Sequence, residues 1–121
     1  MIPFLFVYGS LKRGGELHYH LRRLGAQFLT EARVAAVIVG RRRYPGARST
    51  NREGKWVAGE LFRLRQPARD LRVLDEVEGF FAAAPARSGF VRVQTEVVLN
   101  HSELRQAWIY WLRTGHRVSD E

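Results

Sequence analysis

The sequence contains no cysteine. Disulfides, a zinc ribbon, an iron–sulfur cluster and a thiolate nucleophile are excluded together. The same absence agrees with a reducing compartment, and a cytoplasmic location is expected. Long apolar runs are missing too. None approaches the roughly 20 residues of a membrane-spanning helix, so no membrane partner is expected. The apolar opening Met1–Tyr8 has no basic lead-in and is too short for a signal peptide. Histidine is sparse, with four in the chain. His18 and His20 lie closest together, but two helical positions turn through about 200°, which keeps them from sharing one metal ion. No metal or other cofactor is expected.

Acidic residues are outnumbered, 12 against 20 cationic ones, for a formal net charge of +8. Lysine is nearly absent: Lys12 and Lys55 stand against 18 arginines. A basic balance raises nucleic acid as a partner. The arginines are scattered from Arg13 to Arg117, however, with short runs only at Arg41-Arg42-Arg43 and Arg22-Arg23. Scatter reads as a solvated surface, so nucleic acid is the weaker reading; a non-catalytic or differently specific protein, including a basic nucleic-acid-binding domain, is kept as the alternative. With 121 residues there is room for one domain and its core, not two. A single domain over residues 1–121 is expected, ending in a polar tail from about residue 114.

What the chain has in quantity is apolar and aromatic surface: 45% hydrophobic residues, with seven Phe, four Tyr and three Trp. That is enough for a packed core. Ile2–Tyr8 is apolar on both parities, as a central strand buried on both faces would be. A glycine-bearing loop follows, Gly9–Gly15. Glu16–Leu24 places Leu17, Leu21 and Leu24 at helical spacing, and Gly25 stands where the helix should stop. Gln27–Gly40 is β-branched and reads as one long bent strand or two short ones. Tyr44-Pro45-Gly46-Ala47 reads as a turn and Ser49–Gly54 as a polar loop. Lys55–Leu64 is a further strand. Ala68–Val77 is helical, with Leu71, Leu74 and Val77 on one side and Gly79 as its stop. Phe80–Gly89 is a loop. Phe90–Leu99 alternates, with Val91, Val93, Thr95, Val97 and Leu99 on one face. Arg105–Leu112 is its hairpin partner. The expected fold is α+β: about six strands in a curled or partly closed mixed barrel, with two helices.

Two places carry candidate chemistry. A strand–glycine loop–helix unit turns free backbone N–H groups toward an anion; the alternative is an ordinary tight turn. Gly9 and Gly14 match the glycines of a nucleotide phosphate loop. Gly15 and Glu16 occupy its lysine and hydroxyl places, so nucleoside triphosphates are excluded. A carboxylate is an anion that amides can hold unaided. The second place is Asp75-Glu76-Val77-Glu78-Gly79. Carboxylates at a helix C-terminus face the negative end of the dipole, which raises their pKa toward the range of a general acid or base. The alternative is solvated surface. Glu60, on an otherwise apolar strand face, should lie at a rim or be paired, for instance with an arginine. Ser10 lacks the surroundings of a serine nucleophile.

These residues, taken in order, resemble the γ-glutamylcyclotransferase-like family. Tyr8-Gly9-Ser10-Leu11-Lys12-Arg13-Gly14 is similar to its Y-G-[ST]-L-K-R-G opening, and Tyr44-Pro45-Gly46-Ala47 to its Y-P-G-A turn. Val57-Ala58-Gly59-Glu60-Leu61-Phe62 resembles V-x-G-E-L-[YF]. Leu74-Asp75 with Glu78-Gly79 resembles L-D-x-x-E-G. Phe90-x-Arg92 resembles Y-x-R, and Ala107 to Tyr110 resembles A-x-x-Y. The likeness covers almost the whole chain. It implies a cofactor-independent cyclotransferase (a transferase or lyase by reaction type) that converts a small γ-glutamyl substrate to 5-oxoproline. It implies Glu78 as the general acid/base, and Tyr8, Gly9, Ser10, Leu11 and Tyr110 as substrate-binding residues. A monomer or weak homodimer is the expected state. Two positions depart from the family pattern. Leu17 stands before His18 where Asn is frequent, and Phe90 replaces the tyrosine of Y-x-R; both bear on substrate choice.

Overall fold

β1 is Phe4–Val7, four residues in a computed structural model that describes residues 1–39 and 46–113. It runs antiparallel to β4 (Trp56–Arg63), with Phe6 opposite Leu61 and Val7 opposite Glu60. On its other side it is parallel to β6 (Leu104–Leu112), where Leu5 faces Trp108. Both parities of β1 are apolar because both faces are covered. Phe6 points into the barrel with Val34, Leu61, Val97 and Ile109. Leu5 and Val7 point outward beneath the helices, with Leu21, Phe62, Leu71 and Leu74.

The ring is completed by β2 (Gln27–Val39) and β5 (Phe90–Leu99). β2 pairs with β4 along most of its length, and β5 with β6 as an antiparallel hairpin. β2 then meets β5 at Ala32 opposite Leu99 and Arg33 opposite Val98, which closes five strands into a mixed barrel. The region 27–39 is one strand, bent by a bulge between Phe28 and Thr30. The sixth strand lies elsewhere. Gly46 and Ala47, expected in a turn, begin β3 (Gly46–Ser49), which pairs outside the ring with β2. Small residues next to a proline read locally as a turn, but the pairing of Val39 with Gly46 overrides that preference. Tyr44, Pro45, Arg41-Arg42-Arg43 and the polar tail lie outside the described residues.

α1 (His18–Leu24) and α2 (Pro67–Glu78) cover the outer face of β1 and β4. Each stops at a left-handed glycine, Gly25 at φ 75° and Gly79 at φ 73°. α2 starts with Pro67 in its first turn, and Asp70, fully buried, accepts the Gln66 N–H at 2.9 Å. The arginine surplus is partly spent on the fold itself. Arg33 stacks on Trp56, and Arg63 and Arg105 on Phe4. No helix among the described residues is long and apolar enough to cross a membrane.

Gly59 is the tightest point of β4. A Cβ there would stand 2.6 Å from Phe6 Cζ and against the Val7 carbonyl. Gly59→Ala is expected to lower the unfolding free energy by roughly 1–3 kcal/mol, because β1 and β4 must separate to admit one methyl. Urea unfolding reads this directly, and an unchanged midpoint would contradict the packing described.

Candidate functional site

β1 ends at the rim of the barrel and releases the chain into Tyr8–Gly15. Carbonyls of this loop face protein donors, those of Gly9, Ser10 and Leu11 among them. Lys12 N–H donates to Gly9 O at 3.0 Å, Leu17 N–H donates to Ser10 O at 3.0 Å, and His18 Nδ1 lies 3.0 Å from Leu11 O. The peptide groups are thereby oriented. The N–H groups of Gly9, Ser10 and Leu11 have no acceptor among the described residues. Gly15 permits this fold of the loop, since a Cβ on it would lie 2.7 Å from the Ser10 carbonyl carbon.

Beside the loop is a cavity of about 360 Å³. Tyr8, Gly9, Ser10, Leu11, Glu78 and Tyr110, the six residues singled out in the sequence, all border it. Leu17, Ile38, Val77 and Phe90 supply further apolar wall. The helix-end carboxylates take separate paths. Glu76 is exposed. Asp75 receives two bonds from Arg92, Nε at 2.7 Å and Nη2 at 3.1 Å, and a third from the Tyr110 hydroxyl at 2.7 Å. Glu78 borders the cavity and has no hydrogen-bond partner among the described residues. Burial alone pushes its carboxyl from 4.5 up to about 7.

Both tyrosine hydroxyls are already engaged. The Tyr8 hydroxyl donates to the Tyr110 carbonyl at 2.6 Å and accepts the Ala47 N–H at 3.1 Å. Burial, opposed by the Ala47 bond and aided by the nearby Glu78, holds its pKa up at about 12. Burial and the bond to Asp75 push Tyr110 far above the ordinary phenol range. The two side chains therefore border the cavity while their hydroxyls bond to the protein around it. Asp75, Arg92, Tyr110 and Tyr8 join α2, β5, β6, β1 and β3 around the opening. The role of Asp75 was hidden in the sequence, where it sits among three similar carboxylates. The available signal was Phe90-x-Arg92, which puts a ring and a cation on one face of β5, with Arg92 opposite Tyr110.

Glu60 has the arginine its strand face called for: Arg13 pairs with it at 3.2 Å. His18 and His20 take no part in a metal cluster, and among the described residues no three potential ligands converge.

A small closed barrel has at one end a cavity bordered by the glycine loop, whose Gly9, Ser10 and Leu11 amides are free among the described residues, and by the Glu78 carboxyl at a helix end. The chain belongs to the gamma-glutamyl cyclotransferase, AIG2-like family, whose profile matches residues 5–121. It is 32% identical over 98 residues to the gamma-L-glutamyl-butirosin B gamma-glutamyl cyclotransferase of Niallia circulans, a match covering 79% of this chain. The chain spans 58% of the length of that relative. Among solved structures, an AIG2-like protein from Mus musculus superposes with a TM-score of 0.71 at 24% identity, over 93% of this chain and 78% of the other. YkqA from Bacillus subtilis gives the same TM-score, 0.71, at 19% identity, over 93% of this chain and 36% of the other. These two likenesses bear on the fold alone.

The raised carboxyl makes a stability prediction free of any assumed activity. Between pH 4.5 and about 7 the folded state keeps a proton on Glu78 that the unfolded state has released. The stability from the neutral carboxyl is complete below 4.5 and is lost as pH rises to about 7. The shift corresponds to about 3 kcal/mol. Glu78→Gln cannot ionise. It should therefore stabilise the protein relative to wild type at pH 8 by several times more than at pH 4. Urea unfolding at the two pH values checks this, and equal differences would show that Glu78 ionises as freely as in water.

Proposed function

We propose that the protein is a γ-glutamyl cyclotransferase that cyclises a γ-glutamyl amide to 5-oxoproline, with Glu78 as its proton shuttle. The observation that carries this reading is the position of a half-buried carboxyl, with pKa raised to about 7, on the same cavity as Gly9, Ser10 and Leu11. Family membership supports the reaction class.

The substrate brings its own nucleophile, the α-amine. A bond forms between the amine nitrogen and the γ-carbonyl carbon, and the bond from that carbon to the departing amine breaks. The protein must fold the substrate so that these atoms meet, and intramolecular orientation of this kind is worth roughly 7–11 kcal/mol in favourable cases. The free amides of Gly9, Ser10 and Leu11 hold the substrate's carboxylate. Glu78, as carboxylate, takes a proton from the α-ammonium and returns it to the leaving amine. A carboxyl near pH 7 serves both steps, because it is neither too weak a base nor too weak an acid. Tyr8 and Tyr110 wall the cavity and exclude water. Leu17 and Phe90, where the family pattern has polar groups, make the opening more apolar and favour leaving amines with carbon surface.

Released 5-oxoproline, measured across a set of γ-glutamyl amino acids and γ-glutamyl alkylamines, tests the reaction. Glu78→Gln should reduce turnover by at least about a thousandfold while ligand binding stays near wild type. For the wild type, kcat/KM should rise with pH through about 7, as Glu78 becomes a carboxylate in the free enzyme. A Glu78→Gln protein with ordinary turnover would remove the residue from the mechanism.

A further inference from the structure

Among the described residues, Glu60 is the buried carboxylate near the site that the cyclisation leaves unused. It lies on β4, 9% exposed, opposite Val7 in the register of β1. We propose that Glu60 is a positioning residue for the substrate loop, clamping Arg13 so that the Gly9–Leu11 amides keep their direction. The proposal rests on reading those amides as the group that holds the substrate.

Both carboxylate oxygens are spent on one residue of the loop. Oε1 accepts the Arg13 backbone N–H at 2.9 Å, and Oε2 accepts Nε–H at 3.2 Å. The guanidinium lies over the Phe28 ring, 3.5 Å from its centre. Main chain and side chain of Arg13 are thus fixed together, from a strand that is itself fixed to β1. Arg13 sits between two internal bonds of the loop, Lys12 N–H to Gly9 O at 3.0 Å and Gly15 N–H to Lys12 O at 2.8 Å. Movement at Arg13 would loosen both, and with them the orientation of the Gly9 and Ser10 peptides.

The chemistry calls for a carboxylate here. Two N–H donors arrive at the two oxygens, and a glutamine would set its own NH₂ against one of them. Global stability does not account for the pair. The Arg13 side chain is 48% exposed, and ion pairs open to water add little. Burying the Glu60 charge carries a desolvation cost that a stability role would not justify. What the pair supplies is a fixed loop.

The test compares Glu60→Ala, Glu60→Gln and Arg13→Ala with wild type, by kinetics on a γ-glutamyl alkylamide and by amide hydrogen exchange. Glu60→Ala should raise KM about tenfold and change kcat less than about threefold, because the loop binds ground state and transition state alike. Exchange should quicken at Lys12, Arg13 and Gly15 and stay unchanged in β4. Glu60→Gln should fall between, and Arg13→Ala, which keeps the backbone bond, should be mildest. If Glu60→Ala fails to fold, the other two variants decide. Loop exchange and KM at wild-type values in the variants would overturn the clamp, as would a loss confined to kcat. A wild type that turns over no γ-glutamyl amide would count against the cyclotransferase reading instead. Loop exchange would still decide the clamp.

Discussion

β1 is only four residues long, yet it has no free edge and no free face. Phe6 fills the barrel, Leu5 and Val7 seat the helices, and neighbouring strands take its hydrogen bonds on both sides. A segment so confined cannot shift register without turning every side chain to the wrong surface. It therefore delivers Tyr8 and the glycine loop to one point at the end of the barrel. The cavity exists because α2 stops at that same point, where Gly79 turns the chain away. The site is a meeting of two chain ends, each held by packing some distance away.

The polar groups around the cavity divide into those that brace and the one that is left over. Asp75 and Arg92 are largely buried and paired, an arrangement that adds little net stability but fixes geometry, since breaking it would strand a charge. The tyrosine hydroxyls complete that frame. Glu78 is excluded from it, and its isolation in apolar surroundings is what moves its carboxyl toward neutrality. Had Arg92 reached Glu78 in place of Asp75, the pKa would have moved the other way.

Much of this was legible in the residues. The double-sided apolarity of Phe4–Val7, the alternation of Phe90–Leu99 and the stops at Gly25 and Gly79 are local signals of local structure, and each stands in the fold. The pairing of Glu60 was legible too, because charge on an apolar face demands a partner. β3 was not. Gly46 is needed because Leu112 Cβ would stand 2.8 Å from any Cβ added there, a constraint set by a strand 66 positions along the chain. The division of labour among Asp75, Glu76 and Glu78 was hidden for the same reason. All three occupy one helix end, and only the distant Arg92 and Tyr110 distinguish them.

Ring closure also determines how the surface meets other molecules. Among the described residues, β1, β4 and β6 have a strand on each side, β5 meets β2 at only two positions, and β3 stands outside the ring. That strand is four residues long and ends in exposed Arg48 and Ser49. A short cationic margin of this kind is a poor template for strand addition. The seam between β2 and β5, paired at only two positions, is where a destabilised barrel would first open and expose such a template.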